Sequence, residues 1–508
     1  SSTKLALEKK SVAAIYLLGL IILFVVSAKI VMPMAGQELM PAMDTGAVKI
    51  KIETDSNLAI EKTEEILNKI EKILLDDKQI ETISSSIGGE ASVLSIGSGG
   101  GMNTILVVAN YVNRFERENT IWDIERDLRE KLALIPDIKR LEVSDSGATA
   151  MASIKANIDV TLYGSDLNKL YTKALEYEDA MYNTKGIVNV SKSWNIDNIS
   201  YILNIDSKKA FIYGIKEKDI VAQVQAVLRG ANVSLYPVNN SVDFPIRVWV
   251  EKKSISSIKS LETLLLDTPK GKIPLNAIAK ISKELEPNII TRENLEYTID
   301  VLGFREKASI THIMANFDEA SKDIELPNDI KLIHTGDIQQ FQDSSIRIVK
   351  AVAIGIVLIF LVMIPMFNSL KIPILIILSI PLTIGGASWI LILLNYHSSM
   401  SAMIGFILLA GVIVNNAILL IHFALEKLKD GLDAKEAMIE SIKTRTRPVL
   451  MTAISVSVGM IPVSLGWAIG LERLAPLGAV VIGGLIVGTF LTLMFIPLFF
   501  VWMHKTKN

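Results

Sequence analysis

The chain has 508 residues, of which 50% are hydrophobic and 21% charged, and its formal net charge is −2. This balance, without a basic stripe and interleaved aromatic residues, gives no indication of a nucleic-acid partner. The sequence contains no cysteine, which excludes disulfides, thiolate metal ligands and a cysteine nucleophile. It also lacks a phosphate-binding loop and a nucleophile motif, so we predict no enzyme activity, no cofactor and no resident metal.

Long apolar segments occur once near the start of the chain and then in close succession near its end. Each is long enough to cross about 30 Å of hydrocarbon at about 1.5 Å per residue. Between the first and second segments lies a polar stretch from Pro33 to about Ile346. The sequence therefore predicts an α-helical membrane bundle with a large domain on one side. The predicted transmembrane helices are 12–32, 347–367, 372–394, 400–425, 448–470 and 475–503.

Positive charges in the short connections indicate how the chain is threaded. The first apolar segment is too long for a signal peptide and no cleavage site follows it, so we interpret it as a retained span after a cytoplasmic N-terminus, 1–11. Lys and Arg are concentrated at both ends of the chain and in 426–447. In the short connections on the opposite side, Arg473 is the only Lys or Arg residue. The positive-inside rule then predicts a multi-pass inner-membrane protein with cytoplasmic termini and a periplasmic domain.

The polar domain is predicted to contain two similar α+β units. In the first, 33–150, strands and amphipathic helices follow one another as βαββαβ, the ferredoxin-like split unit. The second begins in 151–195, is interrupted by 196–281 and resumes in 282–336. The interrupting segment has a strand–helix–strand pattern of its own. We therefore predict two lobes, with a smaller α+β subdomain inserted into the second.

Two adjacent amides, Asn415 and Asn416, lie within the predicted helix 400–425. Amides at bilayer depth are costly, so they indicate either a hydrogen bond between helices or a functional site, and the sequence leaves both open. His422 shares the face of Asn415, but it lies near the cytoplasmic end, where an interfacial residue is more typical than a proton carrier.

The connection 426–447 is predicted to be a cytoplasmic loop with a short amphipathic helix, 433–442, on the membrane surface. It ends in basic residues, among them Arg445, and leads into the span that begins at Pro448. Thr452 is about one turn inside that span. A hydroxyl there either bonds back to a helix carbonyl or takes part in a site.

Five stretches of the sequence, in this order and with this arrangement of spans, resemble the resistance–nodulation–division (RND) transporters, specifically the C-terminal half of one. The resemblance covers nearly the whole chain. It implies that the two lobes are porter subdomains of a trimeric efflux permease. It also implies that 196–281 is a docking subdomain, which meets a periplasmic adaptor protein and an outer-membrane channel. The five stretches are 38–46, 335–337, 379–382, 411–420 and 447–452.

The resemblance also implies a role for the polar residues of the bundle. RND pumps move protons through a carboxylate pair in their N-terminal half and use a basic residue at the position that Asn415 occupies here. A neutral amide does not exchange protons near neutral pH, so this chain alone is not predicted to be proton-coupled. The candidate proton-relay or helix-interface residues are Asn415, Asn416, Thr452, Arg445 and His422.

The missing carboxylates must then come from a homologous partner half, unless the system does not use protons. That half would be another chain or a removed segment. The sequence begins with Ser1 rather than Met. Either an initiator Met was trimmed or the chain is a piece of something longer, and the sequence does not separate these.

The glycine-rich stretch 88–101 resembles the mobile loop of the family's binding cleft, although a flexible hairpin has the same composition. Copper- and silver-exporting relatives place three Met in that cleft, and here Lys51 occupies the first position. Since Cu(I) and Ag(I) prefer soft thioethers, this substitution argues against those metals. Drug-exporting relatives place Phe in the loop, and none occurs here. The candidate substrate-pathway residues are Gly97, Gly99, Gly100, Gly101, Met102 and Met151.

The leading prediction is one half of an inner-membrane efflux permease that exports hydrophobic or amphiphilic substrates through an adaptor and an outer-membrane channel. The proton gradient would drive it through the partner half. One alternative is a heavy-metal efflux subunit. Another is a non-transporting scaffold that keeps the fold. The missing acids favour the scaffold, whereas the glycine loop and the polar residues of the bundle favour the pump.

Overall fold

The computed structural model describes residues 10–88, 101–147, 149, 154–237, 243–251, 255, 257–287 and 289–505. Contacts divide the chain into two compact units. The first ends at Trp194 and resumes at Ile290, and the second is Asn195–Ile289. The insertion predicted at 196–281 ends too early, because its last strand continues to Pro287.

The first described element is an apolar helix, α1 (Lys10–Val26). It continues through a π-helical turn, Ser27–Val31, and a short helical turn, Met32–Met34. The following segment, 35–40, is here called the strap. It leads from the apolar helix into the lobes of the first unit.

The first lobe has a four-stranded antiparallel sheet with the strand order β2-β3-β1-β4. Successive side chains of a strand point to opposite faces, so β1 buries the alternate residues Val48, Ile50 and Ile52. Helix α2 adds Ile66 and Ile70 to the same core at helical spacing. The elements are β1 (Ala47–Thr54), α2 (Ile60–Leu75), β2 (Ile80–Ile87), β3 (Thr104–Tyr111), α3 (Ile121–Leu132) and β4 (Ile138–Asp145).

The second lobe repeats this plan around the second unit. Its strands lie in the order β6-β14-β5-β15. Counted along the chain, these are the second, third, first and fourth main strands of the lobe, which is the order found in the first lobe. The short strand β13 pairs with β14 in a hairpin. The elements before the second unit are β5 (Ile158–Gly164), α4 (Leu167–Tyr182) and β6 (Ile187–Lys192). Those after it are β13 (Thr291–Glu293), β14 (Glu296–Arg305), α8 (Ile310–Ser321) and β15 (Lys331–Gly336).

The second unit contains a two-stranded antiparallel ladder of β7 (Ile196–Ile205) and β12 (Ala279–Pro287). Its small core includes Ile220, Leu266 and Ile278. The remaining elements are α5 (Ser207–Ile212), α6 (Glu217–Arg229), α7 (Ile258–Glu262), and the hairpins β8 (Ala231–Tyr236) with β9 (Phe244–Val248) and β10 (Leu265–Thr268) with β11 (Gly271–Pro274).

Among the described residues, 5 helical stretches are long and apolar enough to cross a membrane. Two are Ala14–Met34, which contains most of α1, and Leu471–His504, which contains a 3₁₀ turn and most of α14 (Ala475–Lys505). The others are α9 (Asp337–Phe367), α12 (Met400–Lys429) and α13 (Ala434–Ser464).

The predicted transmembrane helix 372–394 is not continuous in the structure. The segment forms two short helices, α10 (Lys371–Ile377) and α11 (Thr383–Leu393). Pro381 lies between them and lacks the backbone donor that a helix interior requires. The Ser379 hydroxyl donates to the Ile376 carbonyl at 2.6 Å and so supports the turn. Hydropathy does not reveal this break because most residues of the turn are apolar.

The separate surface helix predicted at 433–442 is also wrong, because α13 runs without a break through Pro448. Ala437, Met438 and Ser441 are buried. The Ser441 hydroxyl donates to the Leu420 carbonyl of α12 at 2.7 Å. The first part of α13 therefore packs on α12 rather than lying alone at a surface.

Helix α14 packs against α11, α12 and α13. Glycines allow its backbone to come close to α11: a Cβ at Gly483 would lie 2.6 Å from the Gly386 carbonyl oxygen. Close contact of small residues is the usual way in which apolar helices associate without a hydrophobic driving force. Helices α1 and α9–α14 are called the bundle below.

Candidate functional site

Asn416 and Thr452 join the neighbouring helices α12 and α13. Asn416 is 3% exposed, and its Oδ1 is 3.4 Å from the Thr452 Oγ1. The same hydroxyl is 2.9 Å from the Val449 carbonyl oxygen. Because a hydroxyl has one proton, the bond to the backbone is the stronger one. The Asn416 Nδ2 is buried and has no hydrogen-bond partner in the described part of the chain.

Asn415 has a different environment from its neighbour. It is exposed, whereas Asn416 is buried. Consecutive residues of an α-helix point about 100° apart, so the Asn416 side chain points into the bundle and the Asn415 side chain points away from it. Of the two amides, therefore, only Asn415 is open to a partner, because Asn416 is buried within its own chain.

Asn415 belongs to an exposed row along α12, with Gly411 about one turn before it and His422 two turns after it. No atom lies within 4 Å of a Cβ built at Gly411. The adjoining helix α13 also exposes polar and small residues. Together these six exposed residues are called the polar row. Its members are Gly411, Asn415, His422, Thr452, Ser455 and Gly459.

The exposed face of α9 is the opposite case. Between 351 and 366, its exposed residues are all apolar. Gly355 also has no atom within 4 Å of a Cβ built there. The bundle thus has one exposed face that carries hydrogen-bonding groups and another that is suited to lipid tails.

Arg445 lies seven residues before Thr452 on α13, which places both on nearly the same side of that helix. Its Cζ is 5.0 Å from the centroid of the Phe423 ring on α12. The Nζ of Lys427 is 5.6 Å from the same ring. His422 is exposed. Arg445 and His422 are therefore both at the end of α12 that leads to Lys429, and they are separated from the Asn416–Thr452 contact.

Of the predicted substrate-pathway residues, the structure describes Gly101 and Met102. Met102 is 67% exposed. Gly97, Gly99, Gly100 and Met151 lie outside the described residues. Lys51 is on β1, and its Nζ is 3.9 Å from the Glu53 Oε1. Among the described residues, no group of three His, Asp or Glu side chains has the arrangement that a metal ion needs.

Sequence reasoning missed a cluster of charged side chains where the two lobes meet. Arg129 of α3 binds Glu125 of the same helix at 2.8 Å and Glu306, after β14 of the second lobe, at 3.0 Å. Glu125 is 4% exposed. Burial raises its pKa to about 8, and the nearby Asp145 and Glu306 act in the same direction, against the effect of Arg129. The contact is specified by residues far apart in sequence, so no local pattern indicates it.

The structure also gives Arg473 a contact that its sequence position does not suggest. It was predicted only as the charge of a short connection. Its Nη2 donates to the carbonyls of Gly147 and Thr149, both at 3.1 Å, and these follow the last strand of the first lobe. Arg114 of the same lobe forms an ion pair with Glu472. The turn before α14 is therefore fixed to the first lobe by charged side chains.

The geometry defines an apolar helical bundle joined through polar contacts to two α+β lobes, and comparison with known proteins assigns it to a family. The model of the AcrB/AcrD/AcrF family matches residues 3–504. The chain belongs to this family. The predicted resemblance to RND transporters is confirmed.

Individual relatives cover the same extent. The chain is 26% identical over 498 residues to the swarming motility protein SwrC of Bacillus subtilis, covering 96% of this chain and 45% of that protein. It is 26% identical over 362 residues to the cobalt-zinc-cadmium resistance protein CzcA of Cupriavidus metallidurans, covering 70% of this chain and 34% of that protein. It is 23% identical to the nickel-cobalt-cadmium resistance protein NccA of Alcaligenes xylosoxydans xylosoxydans, covering 97% and 46%.

Solved structures show the same fold. The crystal structure of a heavy metal efflux pump, form II, matches with a TM-score of 0.84 and 20% identity, covering 99% of this chain and 51% of that one. The chain thus spans about half the length, or less, of the relatives and structures that it matches.

Proposed function

We propose that the chain is one half of an inner-membrane efflux permease, with the lobes in the periplasm and both termini in the cytoplasm. A homologous half would complete the bundle, and three such pairs would form the assembly with an adaptor protein and an outer-membrane channel. The α10–α11 pair would make the sixth crossing. The family and the one-half coverage support this proposal.

The polar row is the observation that carries the proposal. Lipid offers no hydrogen-bond partner to a side chain that faces it, and leaving an amide such as Asn415 without one is unfavourable. The exposed face of α9 between 351 and 366 has only apolar residues. The polar groups exposed on α12 and α13 therefore indicate a surface that a partner covers. A helix from a partner half would cover Asn415, and Gly411 would let it approach closely.

The partner half must also supply the groups that exchange protons. The segments 372–394, 400–425, 448–470 and 475–503 contain no Asp, Glu, Lys or Arg. An amide donor such as Asn415 would stabilise a partner carboxylate in its charged form, and protonation would weaken that bond. The proton gradient could then bias an equilibrium between two arrangements of the halves.

A matched pair of glycine substitutions tests the partner surface. Gly411→Leu and Gly355→Leu both place a large side chain where no atom lies within 4 Å. We expect Gly411→Leu to prevent co-purification with a co-expressed homologous half, because it would block the polar row. Gly355→Leu should leave co-purification unchanged. Equal behaviour of the two variants would contradict the assignment of this face.

For the substrate, we propose hydrophobic or amphiphilic molecules. Lys51, at a position where copper- and silver-exporting relatives have Met, argues against those two metals. A second candidate is a divalent metal cation, because two of the relatives are named for cobalt, cadmium, zinc or nickel resistance. Vesicles containing both halves would distinguish these by transport of ethidium or of Zn²⁺ and Co²⁺ under an imposed proton gradient. Transport of neither by an assembled complex would favour the scaffold.

A further inference from the structure

The end of β14 and the loop that follows it, residues 305–308, join three parts of the first unit. Arg305 donates to the Glu38 carboxylate of the strap at 2.6 Å and to the Met40 carbonyl at 2.8 Å. Glu306 reaches the first lobe through Arg129, at 3.0 Å. The carbonyl of Lys307 faces His397, in the connection between α11 and α12. The loop is therefore in contact with the first lobe, the strap and the bundle.

The two ring nitrogens of His397 both face carbonyl oxygens. Nδ1 is 2.6 Å from the Ala35 oxygen, and Nε2 is 3.0 Å from the Lys307 oxygen. A carbonyl oxygen only accepts hydrogen bonds. Neutral imidazole has one N–H, whereas protonated imidazole has two. Only the charged ring can therefore donate to both oxygens, and the neutral ring would turn a lone pair toward one of them.

We propose that His397 forms a pH-sensitive contact between the second lobe, the strap and the bundle. The contact has two hydrogen bonds when the imidazole is protonated and one when it is neutral. Histidine is the side chain that ordinarily changes charge between about pH 5 and 8. This inference concerns contacts within the first unit and does not depend on the proposed transport function.

The strap is placed so that this change would affect it directly. On one side, the Ser398 N–H donates to the Gly36 carbonyl at 2.9 Å, and the Glu38 N–H donates to the Ser398 carbonyl at 3.2 Å. On the other side, the Thr311 N–H of α8 donates to the Gln37 carbonyl at 3.3 Å. The strap thus lies between the bundle and the second lobe, and His397 connects its first residue to that lobe.

The charged groups around His397 are already engaged with other partners. Arg305 and Glu38 form a buried ion pair with each other. The Lys307 ammonium is 4.4 Å from the centroid of the Trp122 ring, on the first lobe. His312 of α8 lies beside Gly36. The start of α12 has the uncharged Ser399, just before the helix, and Ser401. In the described part of the chain, His397 has no carboxylate within ion-pair distance, so the two carbonyls are its acceptors.

Two measurements on the full chain in lipid nanodiscs test the proposal. The first is nitrogen NMR of labelled histidine, with His397 assigned by comparison with His397→Gln. We expect its two ring nitrogens to be equivalent in protonation at the lower pH and to become different at the higher pH. A ring that is neutral at the lower pH would overturn the proposal.

The second measurement is hydrogen exchange of peptides from the strap and the 305–312 region, corrected for intrinsic pH dependence. Protection should fall about tenfold from the lower to the higher pH, as expected for one charge-assisted hydrogen bond. His397→Gln should remove this dependence, and the control His312→Gln should keep it. The same dependence in His397→Gln as in the unaltered chain would overturn the proposal. If His397→Gln does not fold, the NMR titration and the exchange of the unaltered chain decide the question.

Discussion

The polar contacts of the bundle and those of the lobes differ in charge and in length. In the bundle, the contact of Asn416 with Thr452 is neutral and long, at 3.4 Å. Where the lobes meet the strap, Arg305 and Glu38 form an ion pair at 2.6 Å with side chains only 3% and 4% exposed. Arg117 and Asp44 form another buried pair in the first lobe.

This difference indicates where the chain can respond to charge by itself. The Asn416–Thr452 contact between α12 and α13 is neutral, so proton exchange at that contact would need groups from elsewhere. The lobes and their junction contain buried carboxylates and an imidazole with two carbonyl acceptors. Changes in pH should therefore act on this chain through the lobes and their junction with the bundle.

The largest effect is expected from Arg305→Ala. It would leave the Glu38 carboxylate buried without its partner, which typically lowers the free energy of unfolding by about 3–5 kcal/mol. Thermal or denaturant unfolding of the purified chain, followed by tryptophan fluorescence, would measure it. Adding Glu38→Gln to this variant should recover part of the loss, because it removes the uncompensated charge.

Lys331→Ala provides the control in the same lobe. Lys331 pairs with Glu296 at 3.5 Å, but both side chains are largely exposed. Exposed pairs contribute about 0–1 kcal/mol, so this change should be small. If the two substitutions had equal effects, the distinction between the buried junction and the exposed surface would be wrong.

An intermediate and pH-dependent effect is expected from Glu125→Gln. The pKa of Glu125 is raised from 4.5 to about 8, chiefly by burial. The folded chain then keeps a proton that the unfolded chain releases, so the Glu125 side chain makes folding less favourable as the pH rises through this interval. Gln resembles the neutral acid and removes this dependence.

The comparison should therefore reverse with pH. Unfolding temperatures of the Glu125→Gln variant and the unaltered chain should be similar near pH 4.5 and differ in favour of the variant near pH 8. Asp127→Asn on the exposed side of the same helix, where Asp127 pairs with Lys131, is the control. A variant that is less stable at the higher pH would show that Glu125 acts as a carboxylate there.

The lobes were the most predictable part of the fold. Alternating apolar residues in β1 and helical spacing in α2 are local patterns, and burial of one face explains both. The bundle was less predictable because apolar composition does not distinguish a helix from an apolar turn at Ser379 and Pro381. The predicted start of a span at Pro448 also differs from the structure, where α13 begins at Ala434 and its first turns pack on α12.

The candidate site was predictable in its residue types but not in its directions. The sequence indicates that Asn415 and Asn416 need partners, but burial of one and exposure of the other depend on where α13 packs. The junction could not be predicted, because Arg305 and Glu38 are 267 residues apart and no local pattern pairs them. The same is true of the two carbonyls that face His397.

The smallest effect on stability is expected in the bundle, from Asn416→Leu. The Asn416 amide has one long contact and a buried Nδ2 without a partner among the described residues, so it contributes little attraction. Hydrogen bonds between apolar helices contribute about 0.6 kcal/mol on average, and an apolar side chain of similar size avoids burying an unsatisfied donor. The free energy of unfolding of the purified chain should therefore change by less than about 1 kcal/mol. Asn415→Leu is the matched comparison. Because the Asn415 amide is exposed, this substitution should leave the stability of the isolated chain unchanged. Co-purification with a partner half should be lost if the polar row is the contact surface. A loss for Asn416→Leu as large as that for Arg305→Ala would mean that the bundle depends on its polar contact as strongly as the junction depends on its ion pair.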